Sequence, residues 1–96
     1  MAKYELSIYG ENDEILKTYE TNHVRWGVFV EASKVKDDIK DKPIEEQLKA
    51  INKLIQKVFD GLTDEELMLA DTGDVFNTFK QLQNIGNDIN GGSKNG

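Results

Sequence analysis

The stretch Tyr4-Glu5-Leu6-Ser7-Ile8-Tyr9-Gly10-Glu11-Asn12-Asp13-Glu14-Ile15-Leu16-Lys17-Thr18-Tyr19 decides the fold. Tyr4, Leu6 and Ile8 alternate with Glu5, Ser7 and Tyr9, the period of two that marks a half-buried strand. Gly10-Glu11-Asn12-Asp13 is turn chemistry. Ile15 to Tyr19 is rich in β-branched and aromatic residues and predicts a second strand. Together they form a β-hairpin. A lone hairpin is marginal in water, so this one must pack on helices or on another chain.

Downstream of Asn22 the period changes. Val24, Val28, Ala32, Val35 and Ile39 recur at spacings of a helical face. Asn22 or Thr21 is the expected N-cap. Trp26, Phe29 and Val30 widen the apolar surface, and Gly27 is costly inside a helix unless it allows a close backbone approach or a kink. Pro43 ends this helix near Lys40-Asp41-Lys42 and suits the first position of the next. That next helix carries Ile44, Leu48, Ile51, Ile55 and Val58 on one face, and Gly61 is placed to be its left-handed C-cap.

Leu62-Thr63-Asp64-Glu65-Glu66-Leu67 restarts a helix. Thr63 and Glu66 have capping-box spacing, and Leu62 and Leu67 have staple spacing. This short helix is expected to stop around Asp71-Thr72-Gly73. Val75, Phe76, Phe79, Leu82, Ile85 and Ile89 predict a last helix that weakens at Gly86-Asn87-Asp88. The fold class is therefore α+β and mostly α: an N-terminal β-hairpin, three main helices and one short helix. Residues 1–90 read as a single domain. Gly91-Gly92-Ser93-Lys94-Asn95-Gly96 has linker composition and reads as a flexible tail.

Ninety-six residues make one domain. A chain of this size buries roughly 60 to 65% of its unfolded surface, so a partner or a homo-oligomer would add to its stability. No apolar run approaches the roughly 20 residues of a membrane span, and no membrane partner is expected. With no cysteine there is no disulfide framework and no thiolate zinc site. The net charge of −6 lies within residues 60 to 75, which hold Asp60, Asp64, Glu65, Glu66, Asp71 and Asp74 without a Lys or Arg. The rest of the chain carries equal numbers of acids and bases. That distribution argues against nucleic-acid binding, which needs a basic footprint. An acidic patch of Asp64, Glu65, Glu66, Asp71 and Asp74 would attract a basic partner. The ordinary reading is that several of these acids simply favour helix N-termini.

No constellation predicts catalysis. His23 is the one histidine and has no oriented partner in sequence. Asp71-Thr72-Gly73 matches the short signature of aspartic proteases, but those enzymes bring two carboxylates together, and here the triplet lies between helices. A turn and a new cap account for it better. Asp71 and Asp74 lack the alternating oxygen ligands of a calcium loop, and there is no phosphate-binding glycine loop. No enzyme activity, metal or cofactor is expected. The aromatic residues Trp26, Phe29, Phe59, Phe76 and Phe79 are ordinarily core. The alternative is a patch for a partner helix, for which Trp26, Phe29, Val30, Phe76 and Phe79 are the candidates.

Several pieces of the chain resemble the tail assembly chaperones of long-tailed phages and prophages with Gram-positive hosts. They are Tyr4-Glu5-Leu6-Ser7-Ile8-Tyr9-Gly10, Lys17-Thr18-Tyr19-Glu20, Phe59-Asp60-Gly61-Leu62-Thr63-Asp64-Glu65-Glu66-Leu67 and Asp74-Val75-Phe76-Asn77-Thr78-Phe79. The resemblance implies a non-catalytic holdase that binds and solubilises the tape measure protein. It implies a place in the host cytoplasm and absence from the mature virion. It also implies that a programmed frameshift yields a longer form that recruits tail tube subunits. The tail fits such a site, because the codons TCA-AAA-AAC would encode Ser93-Lys94-Asn95 and contain a slippery heptamer. This chain would be the short product. A reading of another class is an acidic decoy or regulatory protein that mimics nucleic acid, which would need acids spread along one long face.

Overall fold

A computed structural model describes residues 3–90, with side chains described as far as Asn84. The predicted tail at 91–96 lies outside the described residues. The elements follow the order β1 (Tyr4–Tyr9), β2 (Ile15–Thr21), α1 (Trp26–Ile39), α2 (Ile44–Val58), α3 (Asp64–Met68) and α4 (Thr72–Asn90). This is the α+β, mostly α arrangement that the periodicities predict.

The two strands pair antiparallel within the chain, from Tyr4 opposite Thr21 to Ile8 opposite Lys17. The turn joins them through Gly10 N–H to the Glu14 carbonyl at 2.8 Å and Asp13 N–H to the Gly10 carbonyl at 3.1 Å. Asp13 sits at a φ of 62°. A type I turn followed by a left-handed residue is a common way to close a three-residue hairpin loop, and Asp tolerates that conformation better than most side chains. Beyond the turn the register shifts: Ile8 faces Lys17 while Tyr9 faces Ile15, so Leu16 is the extra residue of a bulge.

The alternation in β1 has its predicted result. Tyr4, Leu6 and Ile8 point into the core, with Leu6 fully buried. They meet Val28 and Ala32 of α1, Ile51, Leu54, Ile55 and Val58 of α2, and Leu82 of α4 in one cluster. Each such side chain contributes about 1.5–3 kcal/mol relative to exposure. The hairpin is thus stabilised by packing on helices of its own chain.

Several helix ends differ from the expectations. The N-cap of α1 is Arg25, with no side-chain cap bond, rather than Asn22 or Thr21. Thr21 is held in β2, and Asn22 accepts the Lys3 N–H at 2.9 Å, so neither is free to cap. Val24 consequently precedes the helix, although it still packs against the core. Gly27 stands in the first turn of α1 with no atom within 4 Å of an added Cβ, so it serves no close approach. The short helix α3 stops at Met68, before the expected Asp71-Thr72-Gly73, and that triplet opens α4 instead. Pro43 is the N-cap of α2 rather than its first residue, and Phe59 is the C-cap, with Gly61 two residues beyond it at a left-handed φ of 85°. Other signals hold as read. Thr63 and Glu66 form the full capping box, and the staple residues Leu62 and Leu67 are both buried.

Candidate functional site

The expected partner surface draws on α1 and α4, which pack against each other and are tied by Gln83 Nε2 donating to the Ala32 carbonyl at 2.7 Å. The structure divides the aromatic set. Phe59 is buried in the core and Phe79 leans on it from the rim. Trp26 is 69% exposed and Phe76 is 52% exposed. Phe29 and Val30 are half-buried. Trp26 and Phe29 form a tilted pair with ring centroids 4.9 Å apart. A tryptophan left this far in solvent at the start of a helix, beside a second ring, is a surface residue rather than a core one. Periodicity could not reveal this, because Trp26 lies in the first turn of α1, before the helix is covered by its neighbours.

The acidic stretch is employed within the fold. Asp64 Oδ1 accepts from Gln56 Nε2 at 2.7 Å, which ties α2 to the start of α3. Glu66 closes the capping box and accepts the Tyr19 O–H at 2.5 Å. Lys17 joins this group, 3.5 Å from the Glu66 carboxylate and donating to the Tyr19 hydroxyl at 2.9 Å. The Tyr19 hydrogen bond, then the Thr63 N–H, and then the Lys17 charge hold the Glu66 carboxyl below its ordinary range. The Lys17 ammonium is raised above its ordinary value, chiefly by its bond to Tyr19.

Asp71 and Asp74 have a further use. Asp71 Oδ2 accepts the Asp74 N–H at 2.9 Å and its carbonyl accepts the Val75 N–H at 3.1 Å, so Asp71 caps α4. Asp74 Oδ2 then accepts the Ser7 N–H at 3.0 Å. The same side of β1 is paired with the chain leading to α4: Tyr9 N–H donates to the Leu69 carbonyl and Asp71 N–H to the Ser7 carbonyl, at 3.0 and 2.9 Å. The triplet that matches a protease signature is thus a helix cap that also covers a strand edge. Asp64 and Glu65 are the exposed members of the acidic set.

His23 has its N–H bonded to Thr21 Oγ1 in the link between β2 and α1. Among the described residues no group of three or more His, Cys, Asp or Glu side chains could hold a metal ion, and no helix is long and apolar enough to cross a membrane. Open clefts are found at two places among the described residues. One lies between α1 and α2 beside Lys42, Lys49 and Lys53. The other, at the hairpin tip, is bounded by Tyr9, Glu11, Glu14, Leu16 and Leu69. Comparison with protein-family models, with curated proteins and with solved structures yields no significant match to the chain.

Proposed function

We propose that this chain is a tail assembly chaperone of a long-tailed phage or prophage: a non-catalytic holdase that binds and solubilises the tape measure protein in the host cytoplasm. On this reading it is absent from the finished virion, and a longer frameshifted form recruits tail tube subunits. The observation that carries the reading is the exposure of Trp26, braced by Phe29, beside a packed core. The resemblance in the hairpin and in the segments around Gly61 and Phe76 supports it. A holdase needs apolar surface that accepts helical segments and charged surface that keeps the complex in solution. Its action is mass action: shielding of the unassembled partner, followed by release when tube subunits compete. The decoy reading is weakened because Asp64, Glu66, Asp71 and Asp74 are engaged inside the fold rather than arrayed along a free face.

Co-expression with the candidate tape measure protein, followed by pull-down, tests the proposal. A soluble complex from a partner that is insoluble alone is expected. The surface is tested with Trp26→Ser and Phe76→Ser together, since Phe79 leans on the core and its replacement would disturb the fold. The double variant should stay folded and lose the partner. Unchanged capture by a well-folded double variant would remove this surface from consideration.

A further inference from the structure

We infer that the hairpin tip is a second docking surface, built to seat an aliphatic side chain from a helix flanked by lysine or arginine. The bulge in β2 is the first observation. It leaves Leu16 without a ladder partner, and bulges re-aim side chains. Leu16 is 61% exposed, and Leu69, from the far end of α3, is 51% exposed on the same cleft. A single exposed leucine is unremarkable. Two leucines from distant parts of the chain, converging beside Tyr9 on a cleft of about 400 Å³, form a seat. That volume lies within the range of pockets that take small ligands or side chains.

Charge selects the occupant. The segment from Gly10 to Leu16 holds Glu11, Asp13 and Glu14 and no basic residue. The nearest cation in sequence, Lys17, is held by Glu66 and Tyr19. None of the three acids enters an ion pair among the described residues. An apolar floor with an acidic rim complements an apolar side chain with basic neighbours. Backbone pairing bears on the form. At Tyr9 the outer side of β1 is already occupied by Leu69, so a strand cannot be added to β1 there. The cleft presents side chains rather than free β1 backbone, which suits the helix-in-groove mode. Gly10 also lines the cleft, with the Glu14 side chain folded over it. This surface is separate from the Trp26–Phe29 pair and does not depend on the chaperone reading.

The test is a titration of the isotopically labelled full chain, followed by amide chemical shifts. The probe is an amphipathic leucine–lysine peptide of about 18 residues, long enough to be helical. Its control is the same peptide with glutamate in place of lysine. The lysine peptide should shift the amides of Tyr9 to Leu16 and of Leu69 and saturate, and the glutamate peptide should not. Leu16→Ser and Glu11→Lys, both at exposed positions, should each weaken binding roughly tenfold, a loss of about 1.4 kcal/mol, without changing the rest of the spectrum. Equal binding of both peptides, shifts centred on Trp26 and Phe29, self-association through the tip that the peptide does not displace, or no binding would each overturn the proposal.

Discussion

β1 and β2 share one hairpin and come to opposite ends. In β1 every second side chain is buried, and the strand is bonded on both sides: by β2 along its length, and by Leu69, Asp71 and Asp74 on the other. In β2 nearly every residue is exposed, and Tyr19 is the side chain that anchors it, packed on Phe59 with ring centroids 6.3 Å apart and bonded to Glu66. A hairpin can thus be divided into a core strand and a surface strand. Stability should reside in the first, while the second is free to carry recognition.

The division breaks most visibly if the core strand is hollowed. Leu6→Ala should cost about 2–5 kcal/mol, as for a fully buried leucine, read as a drop in the denaturant midpoint. If the loss is under 1 kcal/mol, the core does not depend on β1. The covered edge is the next target. Asp74→Ala leaves the Ser7 N–H without its partner and should cost about 1–3 kcal/mol, with hydrogen exchange accelerated more at Ser7 than at Leu6, which faces Tyr19 of β2.

The anchor of β2 is tested by pH. Glu66 titrates below its ordinary value of 4.5 in the fold, so the unfolded chain binds the proton more readily. Its stabilising effect is complete above the ordinary value and is lost as the pH falls through the depressed one. Glu66→Gln should flatten the acid side of a stability–pH curve while retaining an amide able to serve the capping box. An unchanged acid slope would show that the Tyr19–Glu66 bond does not hold the strand. The smallest effect is expected at the surface strand itself. Leu16→Ser should change stability by no more than about 0.5 kcal/mol, measured by the same unfolding curve. A larger loss would mean that the bulge supports the fold rather than presenting a side chain.

Much of this architecture was legible in the chain. The alternation of Tyr4, Leu6 and Ile8, the capping box of Thr63 and Glu66, the stop at Pro43 and the left-handed Gly61 are local devices, and each depends on residues within a few positions of one another. The helix starts that were misplaced, at Arg25 and at Thr72, failed for the opposite reason. Asn22 was claimed by Lys3 from the other end of the hairpin, and Asp71 was fixed by its place against Ser7 as well as by its own turn.

The candidate surfaces were legible only in part. Trp26 and Phe76 were named from their spacing, but whether an aromatic on a helical face is covered depends on which helices come to lie beside it. Leu16 carried no signal at all, because a bulge is set by the pairing of two strands and not by either one. By itself, the sequence determined the class, the order of the elements and the capping box of α3, since hydrogen-bond periodicity and capping act over a few residues. Tertiary structure alone decided what would cover β1, that Asp74 would bond to a backbone 67 positions away, and where apolar side chains would be left in water. Those outcomes follow from how the assembled layers fill space, a property that no local stretch of the chain contains.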